Sequence, residues 1–261
     1  MYKLPEERVT FPIAKDGRRV EKGMEPLDII EHRPWALPSE PWLMEQRWYD
    51  LLFAHWPLPT ESLRPLVPPE LPLDTFDGRC WVSVTPFHMT NRARVRVLPF
   101  TSRFRELNCR TYVKIGGKPG VFFFSLDASS RLAVWGARTF YRLPYHLAEM
   151  RAEKRGDAID YASRRGSAEF KARYWPVGAV EIAMGGTVEH WLTERYCLYT
   201  VHKGQVFRGD IHHVPWPLQQ AEAEIGVNTV ATAAGILLPN TKPLLAFSRE
   251  LKVLIWPLER I

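Results

Sequence analysis

Apolar and polar positions alternate along most of this chain, and turn residues interrupt the alternation at short intervals. Residues 108–115 alternate, 116–120 read Gly-Gly-Lys-Pro-Gly, and 121–126 return as an apolar, β-branched and aromatic run. That combination predicts a hairpin. Three more strands are predicted near 147–155, 158–165 and 168–175, separated by Arg155-Gly156-Asp157 and Arg165-Gly166-Ser167. In the last two, Ile159/Tyr161 and Phe170/Ala172/Tyr174 alternate with charges, the mark of a strand with one wet face. Residues 197–201 and 205–212 form another hairpin around His202-Lys203-Gly204, and 251–256 reads as a closing strand. Helical spacing is confined to 128–141, which Pro144 ends, and to 187–195, where Thr187 is the expected N-cap.

The front of the chain reads differently. Residues 1–33 carry seven Lys/Arg and seven Asp/Glu and are expected to be a polar N-terminal extension. Residues 34–99 hold 11 of the 22 prolines, a density expected to exclude long helices and central strands. Short pieces survive: a strand within 42–55, a short helix at 59–64 capped by Thr60, and a strand at 79–84 after Asp77-Gly78. No repeat interrupts the pattern, so 34–261 is expected to be one domain. Many short strands and few helices predict a mainly β (α+β) fold, a bent antiparallel sheet closing into a barrel that could hold a ligand.

Composition narrows the function classes. With 261 residues, 46% hydrophobic and 25% charged, the chain can bury a full core without disulfides or a structural metal. Cys80, Cys109 and Cys197 lie far apart, at no zinc-module or disulfide-scaffold spacing. The first residues have no apolar signal-peptide core, and no apolar run approaches the ~20 residues of a membrane helix, so a cytoplasmic protein without a membrane partner is expected. The net charge of +6 includes a local cluster, Arg92, Arg94, Arg96, Arg103, Arg105 and Arg110, but no nucleic-acid-binding signature accompanies it. Phosphate-loop, dinucleotide, nucleophile-elbow and HExxH motifs are absent, and no cofactor is implied. His212 and His213 are adjacent on a strand and point to opposite faces, so with His202 in a turn no metal site is expected.

The chemistry-bearing pattern lies in 104–112. Glu106, Asn108, Arg110 and Tyr112 recur at period two and share one face of a strand. Facing outward they form a solvated ladder. Facing inward they line a cavity in which Arg110 could grip a carboxylate and Glu106 could give or take a proton. Arg47 and His55 could border the same cavity or belong to the core. Glu194-Arg195 reads as an ion pair anchoring a helix.

Several blocks carry a resemblance: residues 46–56 (QRWYDLLFAHW), 106–112 (ELNCRTY), 123–128 (FFSLDA), 143–145 (LPY), 192–199 (LTERYCLY), 212–218 (HHVPWPL) and 253–258 (VLIWPL). They resemble the YqjF-like family of uncharacterised bacterial proteins, within the acetoacetate decarboxylase-like superfamily, from about residue 32 onward. The resemblance implies a cone-shaped β-barrel with a central cavity, an inward Glu106, and a small-molecule ligand. It also marks a departure. Superfamily decarboxylases carry two lysines after an aromatic-Pro step, and the block at 136–146 places Tyr145 and His146 there. Neither can form a Schiff base, so an amine-dependent decarboxylase is not expected. Tyr145 and His146 could still act as acid or base, beside Glu106, with Arg110, Tyr112, Asn108 and Arg47 binding the substrate. Superfamily members often assemble, and an Arg- and Trp-rich surface is compatible with a homo-oligomer.

Overall fold

The computed structural model describes residues 25–94 and 102–261. Twelve strands follow in order: β1 Met44–Leu58, β2 Cys80–Ala93, β3 Ser102–Ile115, β4 Lys118–Ala128, β5 Tyr145–Leu147, β6 Glu149–Arg155, β7 Ala158–Arg165, β8 Ala168–Glu181, β9 Cys197–His202, β10 Gln205–His212, β11 Leu218–Asn228 and β12 Leu244–Arg260. The α-helices are short: α1 Thr60–Leu63, α2 Arg131–Tyr141, α3 Val188–Thr193 and α4 Val230–Ala233.

The strands make one sheet in the order β1-β2-β3-β4-β9-β10-β12-β11-β8-β7-β6, and β12 also pairs with β1. Seven strands therefore close into a ring, and β11, β8, β7 and β6 leave it as a flap. Pairing is antiparallel apart from β4 with β9 and with β5. Closure removes edges from the ring; of the edges that remain, β5 is three residues long and β6 is short and charged, which discourages further pairing.

Two apolar clusters show what each face of the ring does. On the outer face, Leu52, Val82, Leu107 and Cys109 pack against Tyr161, Phe170 and Tyr174 of the flap. On the inner face, Leu51, Phe53, Phe87, Leu126 and Val253 gather with Trp216. Because strand side chains alternate, covering Leu107 and Cys109 on the outside turns Glu106, Asn108 and Arg110 inward. The flap also grips the strands at this level: Tyr161 donates its hydroxyl proton to the backbone oxygens of Glu106 at 2.7 Å and Phe87 at 3.2 Å.

Most predicted elements are present, and the differences have physical causes. The expectation that prolines exclude central strands is overturned by β2, which carries Pro86 between β1 and β3. The β1 side of its ladder jumps from Tyr49↔His88 to Ala54↔Val84, a bulge marked by Asp50 at φ 48°. Pro86 lies within that interruption, where a missing N–H costs least. Thr60 does not cap α1; it is the first helical residue, after Pro59. Thr187 does cap α3, accepting from the His190 N–H. Strand β11 has no sequence counterpart above, because Gln, Ala and Glu favour helices, yet Ala221, Ala223 and Ile225 turn one face to the core and pairing with β8 prevails.

At the extension boundary placed at residue 33, the described residues 25–33 lie against the body. His212 Nε2 meets the Pro26 carbonyl at 2.8 Å, and buried Arg33 pairs with Asp210 at 3.0 Å. Residues 1–24 lie outside the described part.

Candidate functional site

Inside the ring is a cavity of about 690 Å³. All seven ring strands contribute to its wall, and β1–β4 set its chemistry. On β1, even positions Met44, Gln46 and Trp48 face inward until the bulge at Asp50, after which odd positions Leu51 and Phe53 do. A second bulge, where Cys109↔Ser125 is followed by Arg110↔Phe123, switches the inward set of β4 from Leu126 to Phe123 and Val121. Strand β2 supplies Thr85, Phe87, Met89 and Asn91, and β3 supplies Phe104, Glu106, Asn108 and Arg110. Helix α2 covers one end. Its Leu132, Trp135 and Phe140 line the cavity while staying 57–60% exposed, so this end meets solvent.

Glu106 is 3% exposed, and Oε2 accepts a 2.7 Å hydrogen bond from the Tyr145 hydroxyl. Burial pushes its carboxyl up to about 8; hydrogen bonds from Tyr145 and Asn108 oppose the rise, and the charge of Asp127 adds to it. Tyr145 is itself driven well above the usual phenol range, first by burial and then by Glu106. At neutral pH the pair holds both protons, and Glu106 is a carboxylic acid able to donate. Arg138 of α2 fixes the partner from behind, its Nε donating to the Tyr145 carbonyl at 2.6 Å.

Arg110 is 9% exposed, and among the described residues it has no carboxylate partner. Its guanidinium lies 5.3 Å from the Phe53 ring and 5.8 Å from the Tyr112 ring, and Nε has no acceptor. Thr85 Oγ1 and Asn108 Oδ1, neighbours across β2 and β3, also lack partners. Buried polar atoms are almost always bonded, so this end of the cavity is chemically unfinished. Beneath it lies a closed group: His55 Nδ1 is 2.5 Å from Ser83 Oγ, which is 2.6 Å from the Tyr112 hydroxyl. Burial, and then the charge of Arg110, keep His55 neutral.

The structure brings together Glu106, Asn108, Arg110 and Tyr145 and leaves out three expected members. Tyr112 lies past the end of the cavity, fully buried under Trp191 of α3 at 4.9 Å between ring centres. Arg47 points out between inward Gln46 and Trp48 and pairs with Glu250 at 3.2 Å and Glu45 at 3.5 Å. His146 is turned away from Tyr145 by strand alternation and sits 3.4 Å from Arg138 Nη2. Nor do Glu194 and Arg195 pair with each other. Arg195 binds Asp74 at 2.6 Å and the Trp191 carbonyl, while Glu194 accepts from Tyr196 and from the Trp216 N–H.

Sequence reading missed that Arg195, whose Nη2 is unpartnered, and His213 border the cavity. Both sit in segments whose position only the tertiary fold sets. Thr85 was findable, since 85, 87, 89 and 91 continue a period-two face. Among the described residues lining the cavity there is no lysine.

The model of the DUF2071 family of uncharacterized conserved proteins matches residues 45–252. The chain is also 53% identical over 230 residues to the uncharacterized protein YqjF of Bacillus subtilis (strain 168), covering 86% of this chain and 95% of that one. The chain belongs to the YqjF-like DUF2071 family. Solved structures of other proteins share this chain's fold. Acetoacetate decarboxylase from Legionella pneumophila subsp. pneumophila str. Philadelphia 1 superimposes with a TM-score of 0.58 at 13% identity, over 92% of this chain and 97% of its own. The enduracididine biosynthesis enzyme MppR, solved in complex with pyruvate, gives 0.59 at 8% identity over 87% and 93%. An acetoacetate decarboxylase-like enzyme from Sphingomonas wittichii RW1 gives 0.55 at 11% over 88% and 97%. The architecture is thus acetoacetate decarboxylase-like. No helix among the described residues of this family member is long and apolar enough to cross a membrane.

Proposed function

We propose that the cavity binds a small organic acid or carbonyl compound, its anionic or carbonyl oxygens received by Arg110 and the Thr85 hydroxyl, while Asn108 Oδ1 accepts from a donor group of the ligand. Glu106, backed by Tyr145, then exchanges a proton with it in a lyase- or isomerase-like step that uses no Schiff-base lysine. The observation that carries this reading is Arg110, a buried guanidinium with no counter-charge among the described residues, at the wall of a large cavity. Such a group costs several kcal/mol unless something pairs with it, and a bound carboxylate would do so with bidentate geometry. A carboxyl held neutral by burial further along the same cavity wall matches the need of proton transfer near neutral pH.

A second reading, a non-catalytic binding or sensing protein, draws on the bond between Tyr145 and Glu106, which already occupies one oxygen of the proposed acid. Glu106→Gln separates the two: an enzyme keeps its ligand and loses turnover, whereas a binder has no turnover to lose.

The test of the site is thermal stability with a panel of keto, hydroxy and aromatic carboxylates, for the native chain and Arg110→Met. A ligand at ~100 times its dissociation constant adds about 2.7 kcal/mol to the native protein. The variant should show no shift, and without ligand it should be more stable than the native chain by about 1–3 kcal/mol, because an unpaired buried charge is gone. A variant that still responds to carboxylates, or that is destabilised without ligand, would count against the proposal.

A further inference from the structure

The arginines that line the cavity, Arg110 and Arg195, lie at one end of it. The register of β2 and β3 sets the wall residues along one axis: Arg110 opposite Ser83, Asn108 opposite Thr85, Glu106 opposite Phe87, and Phe104 opposite Met89. The charged end is shut, since Trp191 of α3 covers Tyr112 and stacks on the Arg195 guanidinium at 4.1 Å. The opposite end is walled by α2, which starts just past Ala128, the partner of Glu106. There the lining is aromatic and aliphatic and carries no charge, with the neutral amides Gln46 and Asn91 and the Tyr141 hydroxyl as its polar members. Arg110 and Glu106 are four strand residues apart, about 13 Å between Cα atoms, and Arg110 and Phe104 about 20 Å. Arg110 does not shorten that span: its guanidinium lies toward Phe53 and Tyr112, and it is not among the charges that act on Glu106.

Resting on the reading that Arg110 receives an anion, we infer that the ligand is an elongated amphiphilic monocarboxylate, with its head at Arg110 and a long apolar body running past Glu106 to the inner face of α2. A two- to four-carbon acid reaching Arg110 leaves most of the 690 Å³ empty and does not extend to Glu106. An acyl or arylalkyl chain fills the aromatic wall and brings its middle, not the carbon beside its carboxylate, against the Glu106 carboxyl. Entry is head first through the α2 end, where half-exposed Leu132, Trp135 and Phe140 would meet the tail. Gly136 lies on the cavity side of α2, and a Cβ built there meets nothing within 4 Å. A larger side chain at that position projects into the space the tail needs.

The test is calorimetric titration with straight-chain and ω-phenyl monocarboxylates, from acetate to decanoate, against the native chain, Gly136→Phe, Gly136→Ala and Arg110→Met. Affinity should rise about 3- to 4-fold per added methylene until the chain reaches α2, then level off. Gly136→Phe should level off at a shorter chain with short acids unaffected. Gly136→Ala, which keeps the helix and leaves the space open, should follow the native series. Arg110→Met should lose affinity for every length. Binding that needs Arg110 but ignores chain length overturns the elongated ligand and leaves the anion site standing. Length dependence that survives Arg110→Met overturns the placement of the head. No binding by any acid overturns the anion site and the inference with it.

Discussion

Among the described residues, two glutamate–tyrosine pairs lie inside the fold, Glu194–Tyr196 and Glu106–Tyr145, and they serve different ends. In the pair at the end of α3, both Glu194 oxygens are used by the chain: Tyr196 donates to one, and the Trp216 N–H donates to the other at 3.1 Å. Tyr196 is held in turn by the His213 ring at 4.7 Å and the Arg33 guanidinium at 5.2 Å. In the pair inside the ring, Tyr145 and Asn108 donate to Glu106, and the carboxyl stands in the wall of open space that the unpartnered Arg110 Nε borders further along the same strand. Burial raises both carboxyls above the usual range. A perturbed carboxyl is therefore not in itself a mark of function. What separates the two is whether the carboxyl borders open space, as Glu106 does, or is enclosed by the chain, as Glu194 is.

The largest effect expected from breaking this contrast is at the closed pair. Glu194→Ala strands the Tyr196 hydroxyl and the Trp216 N–H, and should cost about 2–4 kcal/mol in urea denaturation. Glu106→Gln should cost less in acid buffer and change sign as the pH rises. The folded carboxyl sits near 8, above its unfolded value, so the native state holds an extra proton between the ordinary carboxylate range and about pH 8. Native stability is full below that window and falls through it, at up to about 1.4 kcal/mol per pH unit. The Gln variant should lack that slope and be the more stable protein in alkaline buffer. Equal slopes in both proteins would remove Glu106 as the source. The smallest effect belongs to Arg47→Ala, which breaks only exposed pairs with Glu45 and Glu250. It should shift stability by less than about 0.5 kcal/mol and leave ligand response unchanged.

The same contrast shows what could be read from sequence. Glu106, Asn108 and Arg110 were legible as one face because β3 is regular there, and local alternation carries as far as the strand stays regular. The family resemblance supplied the direction of that face; in the structure the flap over Leu107 and Cys109 sets it physically. Legibility stops at bulges and at parts of the wall that come from afar. Asp50 shifts the parity of β1, so Gln46 and Trp48 face inward while Arg47 does not. Tyr112 keeps the right parity but lies beyond the cavity's end, a fact set by α3 packing some 80 residues further along the chain. Arg195 and His213 enter the wall by tertiary placement alone, as does the division of labour between the two pairs.

The most direct measurement is a carboxyl-carbon NMR titration of side-chain-labelled glutamates from acid to alkaline pH, with Glu106→Gln to assign the signal. One glutamate resonance, missing from the variant, should titrate near pH 8, and it should move when a carboxylate ligand is added. A Glu106 signal that titrates in the ordinary carboxylate range and ignores the ligand would contradict a cavity-facing acid held ready for proton transfer.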